Sequence, residues 1–336
     1  MCPCFPVFIS AALRTMSPST DRAMTCQPSQ LHTSAADSVT KNCPLCGSRT
    51  PRRIKTLDVQ WAVKLWRDVY NIDITPEFRG VSQMELWRCG DCLVSFFLPD
   101  FLAGSQQMYS QLEEIEGYYP RTKWEFDVAL KDLCGRERIL EIGCGCGNFI
   151  ALAQKQGLSV EGLEQNPRAI EEAVRRGFRV REGTAEDAAR QSSNSYDALC
   201  SFQVLEHIAR PGEFLRACCS ILRPGGLLIF AVPNQRSYVR HALFPTDMPP
   251  HHMTRWTRAS FVRVARFFPL RLTRTAYEPL TENQIEMYVD TYDSLFRRRG
   301  FVPHPWVRTR TIRAIRRLRL GRFIRGQNMY ACYVRL

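Results

Sequence analysis

The chain has 336 residues, 45% of them hydrophobic, enough for one large domain and a small one, and no run reaches the roughly 18 uninterrupted apolar residues of a membrane-spanning helix. Its 14 cysteines are dispersed along a long chain, which excludes a small secreted disulfide scaffold and fits a reducing cytoplasm. The net charge of +13 sits in residues 237–336, where 19 Lys and Arg face 6 Asp and Glu, so an anionic partner is expected near that end.

Residues 1–40 are rich in Ser, Thr, Pro and Gln and read as a disordered tail. Phe5 to Leu13 is apolar but short, and no basic cluster precedes it, which argues against a cleaved signal peptide. Met16 or Met24 could be the true start. Residues 41–99 hold two cysteine pairs, with a helix expected through Val59–Tyr70. Residues 100–135 form a connector or lid with a helix through Trp124–Leu133. Residues 136–336 form the main domain, with insertions near 237–256 and 281–325.

That last region alternates strand and helix. Strands are expected at Arg138–Ile142, Leu158–Leu163, Phe178–Arg181, Ala198–Phe202 and Leu227–Val232. Helices are expected at Phe149–Gln156, Ala169–Arg176 and Pro211–Leu222, the last stopped by Pro224-Gly225-Gly226. Pro167 suits a first helical turn, where its missing N–H has no partner to lose. Such alternation predicts an α/β fold, a parallel sheet with helices on both faces. Cys144, Cys146, Cys200, Cys218 and Cys219 fall inside apolar patterns and are expected to pack as small hydrophobes.

The first of these strands runs into Glu141-Ile142-Gly143-Cys144-Gly145-Cys146-Gly147. Glycines there let the backbone turn tightly and approach a ligand, and the helix that follows presents free N–H groups. The spacing is G-x-G-x-G, with Asn148 where a nicotinamide or flavin binder would place its third glycine. Glu164 lies 23 residues beyond Glu141, the separation at which a carboxylate reaches ribose hydroxyls. Glu186 follows the third strand. Carboxylates at three strand ends favour a cationic, adenosine-bearing ligand over a pyrophosphate.

These residues resemble the first motifs of class I S-adenosylmethionine-dependent methyltransferases. Tyr196-Asp197-Ala198-Leu199, Leu205-Glu206-His207 and Leu222-Arg223-Pro224-Gly225-Gly226 resemble the later ones, in order. The resemblance is strong over 136–236. It implies a Rossmann-like seven-stranded sheet whose last strand, Met329–Val334, returns antiparallel beside Leu270–Tyr277. It also implies that Gly143, Gly145 and Gly147 cradle the methionine part and Glu164 holds the ribose. Glu141 would belong to the same loop, Glu186 would lie near the adenine, and Phe202 and Gln203 would line the pocket.

Cys43-Pro44-Leu45-Cys46 and Cys89-Gly90-Asp91-Cys92 form two C-x-x-C pairs. Cys43, Cys46, Cys89 and Cys92 can supply the four thiolates of a structural zinc site, and a closed site leaves no position for catalysis. The 42-residue separation between the pairs is long for a ribbon, so something folded must fill it. Free thiols and a site degraded to packing are the alternatives, and a redox pair is disfavoured because neither C-x-x-C follows a recognisable βαβ start. The front also resembles a subset of bacterial methyltransferases with an N-terminal zinc-ribbon-like module, through Leu93-Val94-Ser95-Phe96-Phe97-Leu98-Pro99 and Tyr118-Tyr119-Pro120-Arg121-Thr122-Lys123-Trp124-Glu125. That subset implies sugar or small-molecule acceptors.

A hydroxyl acceptor must lose its proton, a task suited to histidine near neutral pH. His251 and His252, in Pro249-Pro250-His251-His252-Met253-Thr254-Arg255-Trp256, are the favoured bases, and ordering of the loop is the alternative. For His207 a pocket-shaping role is favoured over a catalytic one. Residues 297–325 carry eleven arginines and no acid, and Ile312, Ile315 and Leu318 recur at three-residue spacing. The readings there are a solvated helix capping the sheet, an anionic membrane surface or lipid-linked substrate, and nucleic acid. A cytoplasmic methyltransferase, O-directed on a small molecule or sugar, is the leading reading, with peripheral association with the membrane left open. An RNA-modifying methyltransferase and a non-enzymatic Rossmann-like scaffold are the rivals.

Overall fold

A computed structural model of the chain describes residues 41–115, 118, 120–241 and 244–336. The expected tail, residues 1–40, and Tyr119 lie outside the described residues.

After the first cysteine pair, β1 (Pro51–Asp58) runs directly into α1 (Val59–Tyr70). The Asp58 side chain accepts the Trp61 N–H at 2.9 Å and caps the helix start, and Asn71 ends it in the left-handed region at φ 56°. Val59, Ala62, Val63 and Trp66 form the buried stripe. β2 (Gln83–Cys89) and β3 (Ser95–Leu98) follow as an antiparallel hairpin around the second cysteine pair. The helix between the pairs matches the expected span, but the three strands packed with it carry no strong alternation and were not expected. A further helix, α2 (Gln106–Glu113), precedes α3 (Trp124–Asp132) in the connector.

The main sheet begins with β4 (Ile139–Ile142), buried at all four positions, then α4 (Asn148–Lys155), β5 (Val160–Glu164) and α5 (Pro167–Arg175). β6 (Val180–Glu182), α6 (Ala185–Gln191), β7 (Tyr196–Phe202), α7 (Pro211–Ile221) and β8 (Leu222–Pro233) continue the alternation. β6 starts two residues later than expected. The Pro224-Gly225-Gly226 segment lies inside β8 as an irregularity: Tyr196 faces Leu222, and Ala198 already faces Leu227.

β9 (Thr254–Arg255), α8 (Arg258–Val264), β10 (Leu270–Pro279), α9 (Glu282–Arg298), α10 (Pro305–Arg317) and β11 (Arg325–Arg335) complete the chain. The large sheet has the order β10-β11-β8-β7-β4-β5-β6. β11 is antiparallel to both neighbours, as the expected sheet required, and the other pairings are parallel. The chain is therefore α/β with a Rossmann-like seven-stranded sheet. Among the described residues, no helix is long and apolar enough to cross a membrane.

A second, four-stranded sheet has the order β1-β2-β3-β9. β9 reaches it from the insertion after β8, so Phe96 pairs with Thr254 and Ser95 with Arg255. Cys43, Leu45, Val94 and Phe96 share one buried cluster with Leu140, Phe214, Phe230 and Trp256 from the main domain. At roughly 25 cal/mol per Å² of apolar surface, such burial couples the two sheets strongly. The contact is close enough to need a glycine. Gly212 donates its N–H to the Pro44 carbonyl at 3.1 Å, and a Cβ there would lie 2.4 Å from the Leu45 carbonyl oxygen.

Cys144, Cys200, Cys218 and Cys219 are buried as expected, whereas Cys146 is half-buried. On α10, Ile312 and Ile315 enter a buried cluster with Tyr238, Leu280 and Ile285. Leu318 does not join them. It lies past the last helical turn and is 61% exposed.

Candidate active site

The glycine loop sits at the carboxyl end of β4, between β5 and β7, where an open α/β sheet leaves its crevice. Gly143 has φ +73°, and a Cβ on it would fall 2.4 Å from the Val204 side chain. Gly147 has φ +79°, starts α4, and would strike the Phe178 ring at 2.5 Å. Both positions combine a left-handed backbone with no room, so only glycine fits. Gly145 donates its N–H to Glu164 Oε2 at 2.8 Å. Glu164 Oε1 accepts from the N–H groups of Gln165 and Asn166 at 2.8 and 3.0 Å. The carboxylate is thus fixed at the loop, with lone pairs left for a ligand's hydroxyls.

Glu141 is 3% exposed, and its Oε2 has no hydrogen-bond partner. Burial pushes its carboxyl well above the ordinary range. An orphaned buried acceptor beside a cradle that excludes Cβ atoms fits a bound ligand with a cationic donor. Glu186 is half-buried in the first turn of α6, whose start is closed by a Thr184–Asp187 capping box. Phe202 packs edge-on to Phe126, and Gln203 donates to Glu125 at 3.0 Å. Structure and chain order therefore bring Glu141, the three glycines, Glu164, Phe202 and Gln203 to one rim.

The histidines converge on the same rim. The Glu206 carbonyl accepts the N–H groups of Met253 and Thr254 at 2.8 and 2.9 Å, and Thr254 Oγ1 donates to the Leu205 carbonyl at 3.0 Å. These bonds strap the loop of His251 and His252 to the turn that follows Gln203. The ring centres of His207 and His251 lie 4.5 Å apart, those of His251 and His252 4.6 Å, and those of His207 and His252 4.9 Å.

Their hydrogen bonds distinguish them. His207 Nδ1 donates to the His251 carbonyl at 2.7 Å, with the Tyr109 hydroxyl 2.9 Å away. His251 donates from Nδ1 to the Thr246 carbonyl at 3.1 Å, and its Nε2 accepts from the Tyr118 hydroxyl at 3.1 Å, so both its nitrogens are engaged. His252 Nδ1 stands 3.6 Å from Asp247 Oδ1. Asp247 is held in turn by Arg255 at 3.0 Å and Gln235 at 2.8 Å. His252 also lines a cavity of about 300 Å³, with Tyr70, Pro233, Gln235, Phe244 and Met287.

Burial lowers the pKa of all three imidazoles: His207 falls to about 4, and His251 and His252 sit well below their ordinary value, helped by the neighbouring rings. Each is neutral at pH 7, the state in which a histidine can accept a proton. Glu206 is buried with neither carboxyl oxygen hydrogen-bonded, and burial pushes it up to about 8. Asp247 and Tyr109 escaped sequence reasoning, as did the roles of Arg255 and Tyr118, although both stand in motifs visible in the sequence. Asp247, five residues before His252, and Arg255, three residues after it, had local signals.

The four front cysteines form the other cluster. Cys43 and Cys92 sulfurs are 3.5 Å apart, Cys46 and Cys89 sulfurs 3.6 Å, and all four lie within 4.8 Å of one another. Four sulfurs at about 2.3 Å from one ion would be about 3.8 Å apart along the tetrahedron's edges. A disulfide needs about 2.0 Å. The Cys92 N–H points at the Cys89 sulfur at 3.5 Å, and Gly47, at φ +73°, turns the first pair. The donor set and spacing suit zinc.

Comparison with known proteins bears on the domain as a whole. Residues 112–273 match a family model described as a methyltransferase domain. A ubiquinone biosynthesis O-methyltransferase from a Caulobacter species is 32% identical over 125 residues, which is 35% of this chain and 48% of that protein. The protein of the same name from Ralstonia nicotianae is 29% identical over 163 residues, covering 43% and 68%. The chain thus spans about half the length of the first of these relatives. Among solved structures, a SAM-dependent methyltransferase from Archaeoglobus fulgidus is 19% identical with a TM-score of 0.43, covering 63% of this chain and 94% of that one.

Proposed function

We propose that this chain, whose residues 112–273 match a methyltransferase-domain family model, methylates a hydroxyl of a small-molecule acceptor using S-adenosylmethionine. The single observation that carries the reading is the rim itself. A glycine cradle, the fixed carboxylate of Glu164 and a neutral histidine loop lie at adjacent strand ends of one sheet.

In this reading Gly143, Gly145 and Gly147 admit the methionine part, and the unpartnered Glu141 Oε2 faces its ammonium group. Glu164 takes the ribose hydroxyls, Glu186 lies toward the adenine, and Phe202 and Gln203 close the pocket. When bound, S-adenosylmethionine supplies a methyl group on a cationic sulfur, an electrophile that needs no further activation. The chain's own task is then to position the acceptor and hold its proton.

His252 is the base. Its Nδ1 lies 3.6 Å from Asp247 Oδ1, and its Nε2 would take the acceptor's hydroxyl proton during methyl transfer. His251 and His207 are positioning residues that hold the loop. The cavity beside His252 is walled by aromatic and thioether groups with the carboxamides of Gln235, Gln327 and Asn328, which suits an uncharged, hydroxylated ring such as a sugar or phenol. The relatives named as O-methyltransferases support oxygen as the acceptor atom.

Cys43, Cys46, Cys89 and Cys92 hold a structural zinc. It locks the sheet to which β9 is paired and so supports the histidine loop. The test is a screen of hydroxylated ring acceptors, read by S-adenosylhomocysteine release. Turnover that His252→Ala abolishes while cofactor affinity holds supports the reading. Turnover unchanged in that variant removes His252 as the base.

A further inference from the structure

The hairpin of α9 and α10 lies beyond residues 112–273, outside the methyltransferase-domain match. Its charges are sorted. Glu282, Glu286, Asp290 and Asp293 form a stripe on α9, and they neutralise the arginines that face them. Arg316 meets Glu282 and Glu286 at 3.1 Å each, Arg308 meets Asp290 at 2.5 Å, and Arg297 meets Asp293 at 2.7 Å. No acid occurs from residue 294 to the end of the chain.

The other face of α10 carries Trp306, Arg310, Arg313 and Arg317, at helical spacings of four, three and four, all exposed. Among the described residues, Arg310, Arg313, Arg317, Arg319 and Arg322 make no ion pair. Arg310 stacks 4.7 Å over Trp306, and Arg322 4.7 Å over Phe323. In sequence, exposed apolar residues lie on both sides of this basic strip. Phe301 is 63% exposed, Val302 68%, Trp306 51%, Leu318 61% and Phe323 72%. Among the described residues, seven of the thirteen exposed large hydrophobics fall between Phe296 and Phe323, so the exposure is concentrated here. A groove of about 430 Å³ on the same helix is lined by Arg308, Thr309, Arg313, Arg316 and Arg317, with Glu286 as its only acid.

We propose that this hairpin is a membrane-docking surface: it seats on a bilayer containing anionic phospholipid, with headgroup phosphates on Arg310, Arg313 and Arg317 and the side chains of Phe301, Trp306 and Phe323 in the interface. A basic strip bordered by aromatic anchors matches the two attractions such a surface offers, anionic charge and an apolar boundary. Nucleic acid shares the charge but not the second attraction. Val302, Leu318 and Leu320 have no ring to stack on bases and gain nothing from a phosphate backbone. α9 also gives Asn283, Gln284 and Met287 to the wall of the cavity beside His252, so docking sets that cavity close to the bilayer. The proposal does not depend on the proposed activity.

The test is co-sedimentation of the full chain with phosphatidylcholine vesicles, with and without phosphatidylglycerol, at low and high salt. Two triple variants are compared, Arg310→Glu/Arg313→Glu/Arg317→Glu and Phe301→Ser/Trp306→Ser/Phe323→Ser. All six side chains are exposed and lie outside the glycine and histidine sites, so both variants should keep the parent's melting temperature. The expected result is binding only to the anionic vesicles, weakened by salt and reduced about tenfold or more in each variant. Absence of binding to anionic vesicles overturns the proposal. So does binding that the aromatic variant leaves unchanged, or a preference for RNA over vesicles that only the charge variant removes.

Discussion

Phe96 lies in register opposite Thr254 across the short antiparallel ladder that joins the cysteine-bearing sheet to the histidine loop. Thr254 is 1% exposed and does more than pair. Its Oγ1 donates to the Leu205 carbonyl at 3.0 Å and accepts the Trp256 indole N–H at 3.0 Å. Thr254→Val keeps the shape and removes both bonds, leaving the buried Trp256 indole N–H unmatched and the Leu205 carbonyl with only the Ile208 N–H at 3.4 Å. A stability loss of about 1–3 kcal/mol is expected, read by thermal or denaturant unfolding. An unchanged midpoint would show that the strap contributes nothing.

His251 and His252 should respond differently to substitution. His251→Ala breaks bonds to Thr246 and Tyr118, so it should lower the melting temperature and disturb the loop. His252→Ala removes the nitrogen beside the cavity. It should cut turnover by about two to four orders of magnitude while leaving cofactor affinity intact. Equal losses in both variants, parallel to their losses of stability, would reduce both residues to structure.

The buried acid–base groups set a two-sided pH dependence. The pKa of His207 is depressed to about 4, chiefly by burial, against an ordinary 6.5. Its contribution is therefore complete above about 6.5 and is lost as pH falls through about 4, an effect of about 3 kcal/mol. Glu206 is shifted the other way, up to about 8 by burial, so its contribution is present at acid pH and is lost as pH rises through about 8. Melting temperature against pH should fall on both sides. His207→Gln should make the acid limb shallower, with His251 and His252 carrying the remainder, and Glu206→Gln should do the same for the alkaline limb, with Glu141 carrying the remainder. Limbs unchanged in these variants would assign the dependence to other groups.

The cysteine cluster predicts about one zinc per chain by elemental analysis. Strong chelation or Cys46→Ser should lower the melting temperature, and it should loosen the Pro44–Gly212 contact that docks the cluster on α7. Gly212→Ala tests that contact separately. A Cβ placed 2.4 Å from a backbone oxygen should cost about 1–3 kcal/mol without altering zinc content. Protein purified metal-free and indifferent to chelator would leave the cluster as packed thiols.

Much of this architecture is written locally. The glycine loop, Glu164 and the strand–helix alternation depend on neighbours within about thirty residues, so the fold and the cofactor rim were readable from the chain. The partnership of β3 with β9 was not. Thr254–Arg255 is two residues long and has no period to detect, and its partner strand ends more than 150 residues earlier. Tyr109, and the role of Tyr118 although its motif was visible, were hidden for the same reason, because a tyrosine reveals its role only when folding brings a histidine nitrogen to its hydroxyl. Leu318 shows the converse failure. Three-residue spacing placed it with Ile312 and Ile315, but the helix ends at Arg317 and the next residue turns outward.

The most direct test of the central claim is calorimetric titration of the zinc-loaded chain with S-adenosylmethionine, beside Glu164→Ala. The account predicts saturable binding of one molecule per chain, weakened about tenfold or more when the carboxylate at Gly145 is removed. A folded, zinc-loaded protein that takes up no S-adenosylmethionine would contradict it.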